Sequence, residues 1–178
     1  MRLLGTHRLP YGSHAVLASW VVGLALAGCA KPPAPPPPPV TTPMFFTITA
    51  GPDANPDVRG RASPITVRVY AFKTTAAFEG ADFFTLFEKD TSILAADTVQ
   101  REEMLLRPGD SKKLNFVLPA DAKAWGVMGA YRDLDRARWR EVRPVEPGKG
   151  EIVTVTVGAR QMKIDSVPAP PPPPPPKK

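Results

Sequence analysis

Few residues in this chain are of a type that makes or breaks bonds. There is one cysteine, Cys29, and there are two histidines, His7 and His14, in 178 residues. Both histidines precede Cys29, so the chain beyond it holds neither a histidine nor a second thiol. That removes Ser-His-Asp and Cys-His catalysis and leaves too few ligands for a typical zinc site. A carboxylate pair remains the one option for glycoside chemistry, and it needs both groups to face a single bond. The neighbours Glu102 and Glu103 lie in a strand-like stretch, where successive side chains point to opposite faces. Neither a Walker loop nor a G-x-G-x-x-G is present. These patterns argue against an enzyme, and no cofactor or metal is expected. The chemistry that remains is at Cys29 itself.

The setting of Cys29 says what that chemistry is. Arg2 and Arg8 make the start positive, with no acidic residue before the cysteine. An apolar run of about 13 residues follows, Ala15 to Ala27. A membrane span needs roughly 20, so the run matches the h-region of a secretory signal. Leu26-Ala27-Gly28-Cys29 resembles the bacterial lipobox, in which the cysteine is acylated and becomes the mature N-terminus. Residues 1–28 are therefore expected to be a lipoprotein signal peptide and Cys29 the lipidation site. One acyl chain binds a membrane only marginally; the three that the lipobox implies would hold the protein at its bilayer. The residue after the cysteine is Ala30 rather than aspartate. By the same resemblance this favours the outer membrane, with the body of the protein facing the periplasm.

Charge adds little. Residues 1–28 carry two arginines and no acid, so their loss lowers the formal charge from +6 to +4. Lys177 and Lys178 supply two of what remains. The weakly basic body gives no reason to expect nucleic acid as a partner. The basic stretch Tyr131 to Arg140, interrupted by Asp133 and Asp135, reads as a solvated, salt-bridged loop.

The elements that would be held at the membrane fall between two proline tracts. Eight prolines lie between Pro32 and Pro43 and eight between Pro168 and Pro176. Such tracts favour extended polyproline II and build no core. Residues 29–43 read as a lipidated tether that reaches about 40 Å at roughly 3.1 Å per residue, and 167–178 as a disordered tail. Between them, residues 44–166 have the size of one domain. Strand-like segments occur at 45–50, 65–72, 98–107, 112–119, 124–132, 138–145, 150–158 and 160–164, with Gly and Pro turns between them. Short strands at this spacing predict an all-β, two-sheet sandwich. One segment departs from the pattern. Within residues 78–97, Phe83, Leu86 and Phe87 fall at helical spacing with Phe84 alongside, which predicts a helical insertion capping one edge or end of the sandwich. Gly51 to Pro64 is a loop longer than sandwich connections usually are.

The order of these motifs resembles the type VI secretion lipoprotein family called TssJ. The lipobox is followed by "NPDVRGRASPITVRVYAF", "FEGADFFTLFEKD", "LRPGD" and "WGVMGAYRDLDRARWR". The resemblance implies a transthyretin-like β-sandwich with a small helical insertion, anchored in the outer membrane. It also implies assembly with TssM and TssL in the membrane complex of the secretion machine. The loop after the first strand corresponds to the family's contact with the periplasmic domain of TssM. On that basis Asn55, Pro56, Asp57, Arg59 and Arg61 are the partner-binding candidates. Asn55 or Asp57 could equally shape the loop by bonding its backbone. Arg132, Asp133, Trp139 and Arg140 match the recurring "YRD…WR" pattern and are expected to be structural. The proline tail ending in Lys-Lys suits contact with anionic peptidoglycan. The rival reading is a periplasmic sandwich that binds a small molecule or glycan, with Phe72, Phe78, Phe84 and Trp125 lining its pocket.

Overall fold

The computed structural model describes residues 39–170. The signal peptide, Cys29, most of the tether and most of the tail lie outside these residues. Eight strands and two short helices follow in the order β1 (Thr41–Ala50), β2 (Ile65–Phe72), α1 (Ala76–Gly80), α2 (Phe83–Ile93), β3 (Thr98–Leu106), β4 (Ser111–Pro119), β5 (Ala124–Gly129), β6 (Arg140–Pro144), β7 (Glu151–Val157) and β8 (Met162–Pro168). They form two four-stranded sheets, β4-β1-β7-β8 and β3-β2-β5-β6. Every pairing is antiparallel except β1 with β7.

Alternation fixes the core. On β1, Met44, Phe46, Ile48 and Ala50 are buried; on β7, Val153, Val155 and Val157 are. These meet Ile65, Val67, Val69 and Ala71 of β2 and Trp125 and Val127 of β5. Phe46 sits edge-on to Trp125, with ring centroids 5.1 Å apart. A period of two places all of these on inner faces, as a sandwich requires.

The other face of the second sheet is buried as well. Tyr70, Phe72 and Met128 form a second apolar cluster with Phe78, Leu86 and Leu94 of the helical segment. The insertion thus lies over the outer face of β2 and β5, not at an edge or end as the helical spacing alone suggests. The reason is in the strands: Tyr70 and Phe72 make an outer face too apolar to leave wet. Gly126 of β5 allows the close approach, since a Cβ there would come within 3.0 Å of the Phe72 ring and 3.2 Å of the Phe78 ring. Phe83 and Phe87 pack against this cluster, whereas Phe84 is 63% exposed.

A buried ionic network fastens α2 to the sheet. The Tyr70 hydroxyl donates to Asp90 Oδ2 at 2.7 Å, and Arg101 Nε donates to the same oxygen at 2.7 Å. Arg68 Nε donates to Glu103 at 2.6 Å, and its Nη1 donates to the carbonyls of Leu86 and Phe87 at 3.2 and 2.8 Å. α2 is kinked close by at Lys89, whose φ of −130° is non-helical, and the Thr91 amide donates to Asp90 Oδ1 at 2.8 Å. Burial pushes the Asp90 carboxyl up, but hydrogen bonds from Tyr70 and Arg101 and the charge of Arg68 more than offset it and hold the group below the usual aspartate range. Glu103 is likewise lowered, chiefly by its bond from Arg68.

The strands extend past the boundaries read from proline content. β1 begins at Thr41 and β8 ends at Pro168. Pro43 precedes Met44, where the ladder to β7 begins, and Pro168 sits on an edge strand, where a missing N–H is tolerated. The sandwich has two distinct ends. Thr41 and Pro168 lie at one, since β7 Glu151 pairs with both Met44 and Pro168. Ala50 lies at the other, beside the 107–110 turn through Gly109 N to Ala50 O at 2.8 Å. Ten residues of β1 separate the two ends, roughly 33 Å at 3.3 Å per residue.

Candidate functional site

The end away from Thr41 carries the loop between β1 and β2, and its base is built before its tip. Gly51 N donates to Val157 O at 2.8 Å and Ser63 N to Ala54 O at 3.0 Å, which closes the loop at its neck. Ala54 is fully buried there. Asn55 adopts φ 48°, a left-handed conformation that asparagine tolerates better than most residues. Its side chain is 2% exposed and spans two loops. Nδ2 donates to Pro64 O at 2.8 Å, while Oδ1 accepts from the Arg132 amide at 2.8 Å. Asn55 is therefore a strut between the β1–β2 loop and the 130–139 segment, with no surface left to offer a partner.

Asp57 organises the tip. Its Oδ1 accepts from the amides of Arg59 and Arg61 at 2.8 and 3.0 Å. Its Oδ2 accepts from Arg61 Nε at 2.8 Å and pairs with Nη2 at 2.7 Å. The side-chain bond from Arg61 is the main cause holding this carboxyl below its ordinary range. The Asp57 amide donates to Arg61 O at 2.8 Å, and Gly60, at φ 79°, closes the turn onto Asp57 O at 2.9 Å. Of the five candidates, Asn55 and Asp57 thus face inward to shape the loop. Arg59 and Arg61 are exposed, and Pro56 borders the cleft described next.

Residues outside that list complete the surface. Val58 stands at the tip fully exposed. The sequence signal was a lone aliphatic residue inside an otherwise polar turn, a pattern that composition alone does not single out. Arg136 Nε and Arg160 Nε both reach Asp133 Oδ2, at 2.9 and 3.0 Å. The sequence reading makes Arg132, Asp133 and Arg140 structural; the brace on Asp133 is supplied instead by Arg136 and by the distant Arg160, and among the described residues the Arg132 side chain takes no part in it. Between this brace and the tip lies an open cleft of about 750 Å³, lined by Pro56, Asp57, Val58, Arg132, Asp133 and Arg160 among others.

Trp139 and Arg140 serve the opposite side of the same segment. Trp139 packs edge-on to Phe83 at 5.3 Å. Arg140 lies over the Trp139 ring and donates to the carbonyls of Phe78 and Ala81, which end α1, at 2.6 and 2.7 Å. Both residues are structural, as read from the sequence.

Glu103 is committed to Arg68 and Arg101. Among the described residues no cluster of three or more His, Cys, Asp or Glu converges as a metal site needs. The rings proposed to line a ligand pocket do not do so. Phe72 and Phe78 pack 4.9 Å apart, Trp125 is fully buried against Phe46, and Phe84 points to solvent.

Comparison with known proteins agrees with this geometry. No curated protein sequence shows significant similarity to the chain. Among solved structures, the T6SS lipoprotein TssJ1 from Pseudomonas aeruginosa is 38% identical, with a TM-score of 0.69 over 75% of this chain and 100% of that one. A chain in the structure described as the T6SS protein TssM C-terminal domain (869–1107) from EAEC is 28% identical, with a TM-score of 0.57 over 68% and 98%. A chain of a type VI membrane complex is 26% identical, with a TM-score of 0.60 over 69% and 97%. The family described as type VI secretion lipoprotein, VasD, EvfM, TssJ matches residues 42–160. With its sandwich, its helical cover and its loop in place, the chain belongs to the TssJ family of type VI secretion lipoproteins.

Proposed function

We propose that this lipoprotein is acylated at Cys29 after removal of residues 1–28, and that it ties the type VI membrane complex to the outer membrane from the periplasmic side. In this reading the loop between β1 and β2 docks the periplasmic domain of TssM, with TssL in the same complex. The observation that carries it is the polarity of the sandwich. The chain enters β1 at Thr41, on the tether side, and the loop caps the far end of the same strand. A tether at one end and a presented loop at the other suit a protein that holds a partner away from a membrane. Confinement at that membrane raises effective concentration, so a modest loop affinity suffices.

The comparison with the EAEC structure supports the choice of partner. The matched chain is about 120 residues long, because 68% of this 178-residue chain covers 98% of it. Residues 869–1107 span about twice that length, which supports reading the matched chain as a neighbour of the TssM domain rather than the domain itself.

The test is binding of the full lipidated chain, in detergent, to the periplasmic domain of TssM. A variant in which residues 57–61 become a Gly-Ser turn is measured alongside. The structure sets these limits, because Ala54 and Asn55 belong to the base and must stay. Binding that disappears in the variant, with the melting temperature preserved, supports the loop as the docking element. Binding that survives moves the interface elsewhere. Release of a Cys29→Ser variant from the membrane fraction tests the anchor. The proline tail is assigned a contact with the cell wall, tested by whether deleting residues 171–178, which leaves β8 whole, alters sedimentation with purified peptidoglycan.

A further inference from the structure

The cleft behind the loop tip has a charge balance that says what it would receive. Asp57 is neutralised by Arg61. Asp133 is shared between Arg136 and Arg160, which leaves that triad one positive charge in excess. Arg132 adds another: its amide is held by Asn55, but among the described residues its side chain makes neither a hydrogen bond nor an ion pair. Arg59, next to Val58, is engaged among the described residues only through its amide. Each carboxylate lining the cleft is thus already matched, while guanidinium groups are left over.

Two other charged clusters do not share this property. The Arg68–Asp90–Arg101–Glu103 group under α2 is closed on itself and on helix carbonyls. At the tether end, Lys149 is paired with Glu146.

We propose that this arginine-rimmed cleft receives an acidic segment of the partner protein, with Arg132 pairing its carboxylates and Val58 making the apolar contact at the mouth. The proposal rests on the docking reading above and gives it a chemistry. Arginine suits the task because its planar fork grips a carboxylate in two places and is weakly hydrated. An uncommitted guanidinium beside a fully exposed aliphatic tip fits a segment in which an acidic residue neighbours an apolar one. Asn55 sets the geometry, since it fixes the tip and the Arg132 backbone relative to each other.

The experiment compares Arg132→Glu, Arg132→Lys and Val58→Ser in the full lipidated chain, binding the periplasmic domain of TssM at two salt concentrations. Vesicles containing phosphatidylglycerol serve as a competing anionic surface. Arg132→Glu should weaken binding by about tenfold or more, because a like charge then faces the segment. Arg132→Lys should fall between the wild type and Arg132→Glu, because an ammonium keeps the charge but loses the two-point grip, and raised salt should weaken the wild type more than Arg132→Glu. Val58→Ser should weaken binding with no change in salt dependence. Unfolding midpoints should not move, because only the backbone of Arg132 is engaged. Wild-type affinity in Arg132→Glu, with binding still lost when residues 57–61 are exchanged, overturns the cleft and leaves the loop reading standing. No binding by the wild type overturns both. Arg132-dependent binding to the vesicles but not to TssM assigns the cleft to a lipid surface and overturns the proposal.

Discussion

Two segments interrupt the run of strands, and they meet opposite fates. The helical stretch between β2 and β3 covers the outer face of a sheet, with Phe78, Leu86 and Leu94 at most 1% exposed. The loop between β1 and β2 is secured at its neck by Ala54 and Asn55 and closes its tip with Asp57, then leaves Val58 in solvent. One segment is stabilised by apolar burial and interior charges, the other by short-range hydrogen bonds. The difference teaches which of two aromatic- or charge-rich insertions is a cover and which is a display. Burial of its own side chains decides it, not the residue types.

The comparison breaks most easily at the aromatic cluster. Phe78→Ala should cost about 4 kcal/mol, as removal of a fully buried phenylalanine from a packed core does. Phe84→Ala, at the start of α2, should stay within about 0.5 kcal/mol because its ring is exposed. Denaturant unfolding of the two variants checks this. Equal losses would mean that the insertion buries a different face.

The ionic fastening comes next. Asp90→Ala should cost about 3 kcal/mol, since it leaves Tyr70 and Arg101 without their acceptor in a buried setting. The same carboxylate gives a pH signature. Its folded pKa lies below the unfolded value, so its stabilisation is fully present above about pH 4 and is lost as pH falls through the folded pKa. Melting curves between pH 2 and 7, roughly the window these values span, should show the wild type losing more stability on acidification than Asp90→Asn. Parallel curves would remove Asp90 from the account.

Smaller effects belong to the loop. Asn55→Ala should cost about 2 kcal/mol, because the Arg132 amide loses its acceptor and the left-handed backbone loses a tolerant residue. Thermal unfolding reads this directly. Smallest of all, Val58→Ser should leave stability within about 0.5 kcal/mol while weakening partner binding. A loss of stability at Val58 would mean that the tip is packed after all.

Much of this was legible in the chain. Strict alternation in "ITVRVYAF" places β2 at 65–72, the residues observed. Phe83, Leu86 and Phe87 at i, i+3 and i+4 give the helix that is found. A structural Asp133 is legible in the chain, but which arginines brace it is not: Arg160 lies 27 residues away and carries no local signal. Phe84 was grouped with its neighbours because a short helix leaves its rotation undetermined by sequence spacing alone. The five loop candidates come from the family resemblance, which gives the loop but not the direction of each side chain; the left-handed turn and the bonds to Pro64 and to the Arg59 and Arg61 amides, which orient Asn55 and Asp57, depend on the folded loop.

What the sequence determined by itself is whatever rests on periodicity and local chemistry. That includes the sandwich class, the strand positions, the helical insertion, and the exclusion of histidine-based catalysis beyond Cys29. Tertiary structure decided the rest: that the helices lie on the outer face of β2 and β5, that Arg68 reaches the carbonyls of Leu86 and Phe87, and that Val58 and the arginines of two other loops frame one cleft. Periodicity tells each strand which side chains share a face. Only the packing of distant segments decides what covers that face and what remains open to a partner.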